Sequence, residues 1–247
     1  MHVVALGRAP IKGCRRESLL EVRVDADGVR GDRSLAFVAE GAVLRTVANP
    51  GLLGLHATLG HDEGQQVVHL TLPDGTSASQ RIVPGERGIV DYWGRPLPVE
   101  LLPGDVSDAA GAHLGRAVVL AAIERPSRAI YANPVSIGLV SRFAGLGCDA
   151  ERFRCNVLVD DTDDPRGEDA WVGRGVRLGG VVLVVRKRLE RCPVIDHDPV
   201  TGERDRRLFA ELSAGPDPLV GLGADVVRGG VLAVGDRVGT SGGLVYR

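Results

Sequence analysis

The chain has 247 residues, of which 44% are hydrophobic, 25% charged and 4% aromatic, with a formal net charge of −2. It is long enough to bury a real core as one large or two small domains, and the composition excludes a disordered or nucleic-acid-binding chain. No run approaches the ~18 apolar residues of a membrane span.

The opening segment "MHVVALGRAP" reads directly as a strand, without the basic–apolar–small order of a signal peptide, so a cytoplasmic protein is expected. A basic loop "RAPIKGCRR" follows, then "SLLEVRVDADG", where Leu20, Val22 and Val24 alternate with polar neighbours as a strand face does. Hairpins are predicted around Glu40-Gly41 and Asp74-Gly75, and "GIVDYWGRPLPVELL" reads as a further strand pair. A helix is expected over "GDVSDAAGAHLGR" with Ser107 as its cap, and a second over "NPVSIGLVSRFAGLG" with Ser136 as cap and Gly145 or Gly147 as stop. "RFRCNVLVD" reads as a strand and "DDTDDPRGED" as a surface loop. "GVRLGGVVLVVRKR", with apolar residues for both faces, reads as a central strand or strand pair. "ERDRRLFAELS" suits a helix and "GGVLAVGDRVGT" a closing strand. Many short strands with regular turn signals predict a mainly β (α+β) fold of barrel type with few short helices. The boundary is placed at 104/105, giving domains 1–104 and 105–247.

Generic motifs fail their context. "GLGCDA" lacks the preceding strand and following helix of a dinucleotide fingerprint, there is no P-loop, and "DHDPVTGE" is a turn sequence without calcium-loop spacing. The four cysteines, Cys14, Cys148, Cys155 and Cys192, contain no C-x-x-C pair. Strand alternation puts Cys155 with Phe153, Val157 and Val159 as a buried hydrophobe, and Arg154 with Asn156 on the other face. That second pair either grips one polar ligand or forms a rim salt bridge and a capping amide. Cys192 stands apart: it follows Arg186, Lys187, Arg188 and Arg191 and precedes Pro193. Nearby guanidinium charge favours a thiolate, the form that attacks electrophiles and binds soft metals, although an inert surface thiol fits the same letters. Loop cations Lys12, Arg15, Arg16, Arg30, Arg33 and Arg45 suit an anionic, phosphate-bearing small ligand or an ordinary solvated surface.

"FRCNVLVD", "RCPVIDHDPVTGE" and "GGVLAVGDRV" resemble the MOSC domain, the C-terminal domain of molybdenum cofactor sulfurase. "APIKGCRRESLLEVRVDADGVRGDRSLAFV" resembles the β-barrel domain that precedes MOSC in many members, and the whole is similar to the mitochondrial amidoxime reducing component and its bacterial relatives. The resemblance implies a molybdenum cofactor (Mo-molybdopterin) in a cleft between two packed β domains, with Cys192 as metal ligand. It further implies that Lys12, Arg33, Arg45, Arg154, Asn156 and Arg191 hold the pterin or its phosphate, and Asp196 is assigned as proton donor. The implied activity is reduction of N-hydroxylated or N-oxide small molecules by oxygen-atom transfer. The chain carries no flavin, haem or iron–sulfur pattern, so a separate electron-donor reductase is the implied partner; no nucleic acid or membrane is implied. The alternatives are a sulfur carrier, sulfurtransferase or C–S lyase working through a Cys192 persulfide, and a non-catalytic protein binding the cofactor or an anionic metabolite. Four departures mark the pocket: Gly13 in place of a serine, Cys155 in place of a proline, Asn133-Pro134-Val135-Ser136 in place of an acidic, hydroxyl-bearing loop, and Val47 in "LRTVANP" where an arginine is common, with Arg45 two residues earlier on the same strand face.

Overall fold

The valine-rich segments assemble first into one large sheet. In the computed structural model, which describes residues 1–124, 133–164 and 166–240, eight strands run in the order β19 (Val238–Thr240), β15 (Gly175–Leu178), β16 (Val181–Arg188), β17 (Leu222–Arg228), β13 (Val135–Leu139), β14 (Val157–Asp160), β1 (His2–Arg8) and β2 (Glu17–Leu19). Every neighbour pair is antiparallel except β13 with β14. The valine run lies in β16, between β15 and β17, with Val181, Leu183, Val184 and Val185 all buried, as a central strand requires. A small sheet of β18 (Gly230–Ala233), β3 (Glu21–Asp25) and β4 (Gly28–Val29) shares its core: Val22, Val24, Val29 and Leu232 join Ile137, Leu183 and Trp171. Leu20 does not join the face of Val22 and Val24. It falls in the break between β2 and β3 and is exposed.

The second body is a closed barrel of β10 (Glu86–Tyr92), β11 (Arg95–Leu102), β12 (Val119–Ile123), β5 (Leu35–Ala39) and β6 (Ala42–Val43). Both faces of β5 are buried, Ala36 and Val38 in one cluster with Val90, Leu97 and Val99, and Leu35 and Phe37 in another. That second cluster is roofed by the sheet β7 (His56–Asp62), β8 (Gln65–Thr71), β9 (Ser77–Arg81) and by helix α1 (Asp105–Leu114). The hairpins at Glu40-Gly41 and Asp74-Gly75 form as expected.

Three helices are present among the described residues: α1, α2 (Val140–Leu146) and α3 (Leu208–Ala214). Neither predicted serine cap is one. Ser107 lies inside α1, where its hydroxyl donates to Leu102 O and accepts from Leu120 N–H, tying the helix to two strands. Ser136 is the second residue of β13, and α2 begins four residues later. The helix start is instead held by Asp161, which accepts from Ser141 N–H at 2.9 Å, and its stop is Gly147 in the left-handed conformation. The acidic stretch expected as a surface loop thus turns Asp161, Asp164 and Glu168 inward.

The two cores do not separate at 104/105. Strands β1 to β4 pair within the sheets that carry the C-terminal strands, whereas α1 and β12, beyond residue 104, pack with the N-terminal barrel. The loop between β1 and β2, which carries Lys12, and the turn between β4 and β5, which carries Arg33, therefore join the two bodies.

Candidate functional site

Cys192 sits on a corner braced from beneath. Beyond β16, Arg188 is nearly buried and is held by Glu168 at 2.8 Å and Asp217 at 2.8 Å, while the second Glu168 oxygen accepts from Gly221 N–H. Leu189 then pairs backbone to backbone with Gly221 and Val220. Pro193 opens a short 3-10 helix, Pro193–Asp196, where its missing N–H costs nothing. Buried Val194, Ile195 and Asp196 anchor that helix, and Cys192 itself is exposed in extended conformation at its head. The thiol is thereby presented by a rigid turn, as binding groups usually are.

It opens onto a cleft of ≈ 380 Å³, lined by Lys12, Arg33, Arg45, Arg152, Arg154 and Arg191 against a single carboxylate, Glu190. Each cation arrives from a separate part of the chain. The Lys12 N–H donates to Leu35 O at 2.7 Å, which fastens its loop to the barrel. Arg33 adopts φ 51, pairs with Asp32, and that carboxylate accepts from Ala9 N–H at 2.8 Å. Arg154 adopts φ 48 after the 3-10 helix Ala150–Phe153 and donates to Gly13 O at 3.2 Å and Cys14 O at 3.4 Å, joining the C-terminal segment to the N-terminal loop. Arg152 is buried and forked onto Asp205 at 2.8 and 2.5 Å.

Burial and the neighbouring cations act together on Lys12. Burial, together with the Arg154 and Arg33 guanidinium groups, lowers the Lys12 ammonium from its ordinary 10.5 to about 8. Cations pressed together to that extent favour an anion between them. Burial acts oppositely on the neighbouring Cys14 thiol, pushing it up to about 12, so Cys14 is an inert core group.

At the rim, the turn between β10 and β11 carries Tyr92 and Trp93. Lys12 Nζ lies 5.3 Å from the Tyr92 ring centre, and the Arg45 guanidinium lies 4.3 Å from that of Trp93. On the far side of Arg152 and Arg154 a smaller cavity of ≈ 260 Å³ opens, where Arg15 and Arg16 face Asp149 and Glu151. Its four arginines, with Arg152 and Arg154 counted, meet only these two carboxylates, and Arg16 is ion-paired to Glu151 at 2.6 Å.

Of the residues singled out from sequence, Lys12, Arg33, Arg45, Arg154, Arg191 and Cys192 line one cleft. Asn156 and Asp196 do not. The expected strand begins only at Val157, and the left-handed turn at Arg154 breaks the alternation that put Arg154 and Asn156 on one face. The Asn156 amide oxygen accepts from Ser136 N–H and Oγ at 3.0 and 2.8 Å, and its Nδ2 donates to Gly7 O at 3.3 Å. Asp196 is 1% exposed, and its oxygens accept from Phe209 N–H and Arg204, each at 2.7 Å. It holds α3 against the 3-10 helix and is absent from the cleft lining. Arg191 reaches the lining, but its guanidinium turns inward to Val220 O at 2.7 Å, Phe153 O at 3.0 Å and Cys155 Sγ at 3.5 Å. It is a positioning residue. Arg30, ion-paired to Asp25 on the surface, belongs to the solvated charges.

The departures also find physical reasons. Gly13 adopts φ +89, and a Cβ there would lie 2.6 Å from Thr46 Oγ1, so no serine fits. Cys155 is buried among Phe143, Phe153 and Ile195 behind the cleft wall, as its apolar neighbours predict. Asn133 and Ser136 are buried away from the lining. Sequence reasoning missed Arg152, Tyr92 and Trp93; the aromatic pair just before Gly94, in a turn where polar residues are usual, was the available signal.

No curated protein matches the sequence. Among solved structures, the YuaD protein from Bacillus subtilis aligns with a TM-score of 0.42 at 12% identity, covering 96% of this chain and 92% of that one. The family model for the MOSC domain matches residues 126–239, the segment that contributes Arg152, Arg154, Arg191 and Cys192. This chain therefore contains a MOSC domain at residues 126–239.

Proposed function

We propose that the protein binds a molybdenum–pterin cofactor in this cleft and reduces N-hydroxylated or N-oxide small molecules, drawing electrons from a separate reductase in the cytoplasm. The observation that carries the reading is an exposed thiol at the head of a cleft whose lining is cationic in a protein of net charge −2. The donor set fits the group. A soft sulfur suits molybdenum, and clustered ammonium and guanidinium groups suit a phosphate. Cys192 would ligate the metal; Lys12, Arg33 and Arg154 would take the phosphate; Arg45 would stand at the rim. Arg191 and Asn156 act indirectly, Arg191 by fixing Phe153 and Cys155 behind the wall and Asn156 by locking β13 to β1. When bound, the cofactor supplies two-electron oxygen-atom-transfer chemistry, and the protein supplies binding, orientation and electrostatics.

The test is elemental and pterin analysis of protein from a host able to make the cofactor. The expected result is molybdenum and a fluorescent pterin released on denaturation in equal amounts, with turnover only when an artificial reductant or a reductase is added. Absence of both from such a preparation refutes the reading. Thiocyanate released by cyanide from metal-free protein would transfer Cys192 to sulfur-carrier chemistry instead.

A further inference from the structure

We infer that Trp93 is a stacking platform that selects flat, aromatic substrates at the mouth of the cleft, which makes it a specificity-determining residue. The inference rests on the functional reading above for the reacting group, and on the following geometry for the ring. Trp93 and Gly94 are the two central residues of the β10–β11 hairpin, with φ 59 and 74, closing the pair Tyr92–Arg95. Glu40-Gly41 and Glu63-Gly64 occupy the same kind of turn with φ 51 and 74, and 47 and 80. The turn geometry is therefore met by a polar residue, and a bulky ring in the left-handed region is unfavourable there.

Trp93 adds nothing to a core. Its relative exposure is 62%, whereas the other tryptophan, Trp171, is 1% exposed within the large sheet's cluster. An indole left in water and in a costly backbone conformation marks a site where something else stacks. Two further observations say what. The ring lines the same cleft as Cys192. The Arg45 guanidinium lies over the ring at 4.3 Å and the Tyr92 ring meets it edge-on at 6.5 Å, which fixes the indole's orientation while most of the residue stays exposed. A planar ring carrying an N-oxide or N-hydroxyl group can lie on the indole with that group turned towards the thiol end of the cleft. A saturated ring of equal size gains no such contact.

The experiment compares pyridine N-oxide with N-methylpiperidine N-oxide as binding probes, using the full chain purified from a cofactor-making host. Calorimetric titration should show roughly tenfold tighter binding of the planar probe, the size of one ring-on-ring contact. Pyridine N-oxide should also saturably quench the long-wavelength emission of exposed Trp93, with the buried Trp171 signal unchanged. In Trp93→Leu the ratio should fall to about one, and in Trp93→Phe most of it should survive. Equal affinities in the unmodified protein, no binding of either probe, or a ratio that persists in Trp93→Leu would each overturn the inference. Molybdenum and pterin measured on the same preparations separate the two failures. Loaded protein without planar selectivity sinks the platform alone, and planar selectivity without cofactor sinks the redox reading alone.

Discussion

Replacing Lys12 with methionine should stabilise the protein at neutral pH while weakening its hold on anions. In the folded chain the ammonium is lowered to about 8 by burial and by Arg154 and Arg33, against 10.5 in an open chain. Each pH unit between those values corresponds to ~1.4 kcal/mol, so the folded protein carries a penalty of about 3 kcal/mol when Lys12 is charged. Partial exposure and salt reduce this, and the expected gain for Lys12→Met is about 1–3 kcal/mol. Below pH 8 both folded and unfolded chains hold the proton, and the penalty is fully present. Between pH 8 and 10.5 the folded chain releases it first, so the stability of the unmodified protein rises with pH and the advantage of the variant shrinks. Urea unfolding at pH 7 and pH 9.5 reads both effects: the gain at pH 9.5 should be less than about half of that at pH 7. Added inorganic phosphate should raise the unfolding midpoint of the unmodified protein more than that of the variant. A variant no more stable at pH 7, or one whose gain is the same at both pH values, would show that burial beside Arg154 and Arg33 does not penalise the charged form of Lys12.

Cys192→Ser should abolish molybdenum retention while leaving the unfolding free energy within about 0.5 kcal/mol, because the thiol is exposed and packs against no core; a metal assay on the purified variant that finds normal loading removes the ligand role. Asp196→Ala should cost about 3 kcal/mol in a thermal melt, because it strands the buried Phe209 N–H and frees Arg204. A variant that melts normally but loses turnover would restore Asp196 as a proton donor.

The mainly β architecture was legible because its signals are local. Alternation in β3, the both-faces-apolar run of β16 and the Glu40-Gly41 hairpin each follow from a few adjacent residues. The capping errors have one cause: Ser107 and Ser136 are hydroxyls near helix starts, but each is engaged by a tertiary partner, Ser107 by Leu120 N–H of β12 and Ser136, itself in β13, by Asn156. Tertiary partners of that kind leave no mark on local pattern. The expected charge around Cys192 was right in sign and wrong in source. Arg188 is spent on Glu168 and Asp217, and Arg186 reaches Asp225. Of the neighbouring cations only Arg191 lines the cleft, and the others there, Lys12, Arg33, Arg45, Arg152 and Arg154, are brought in by segments far away in the chain. Sequence neighbourhood reported mainly a structural ion-pair network; the loop cations Lys12, Arg33 and Arg45 were noticed by residue type, but only the family resemblance grouped them with Cys192.

Backbone strain supplies an argument for this cleft that does not depend on charge. Five described residues other than glycine hold a positive φ: Arg33, Glu40, Glu63, Trp93 and Arg154. Glu40 and Glu63 serve hairpin turns whose side chains reach solvent. Arg33, Trp93 and Arg154 all line the cleft. A left-handed L-residue costs on the order of 1 kcal/mol, and glycine would relieve it, as the chain does at Gly13, Gly31 and many other turns. Glycine at 33 or 154 would keep the turn but lose the guanidinium, including the Arg154 contacts to Gly13 and Cys14 that close the cleft wall. A fold with no use for this cavity would take the relaxed backbone. The conformational cost thus gathers among the residues that line the cleft where Cys192 opens, as strain commonly does at functional sites, and this supports the proposed reading independently of the surface ion pairs.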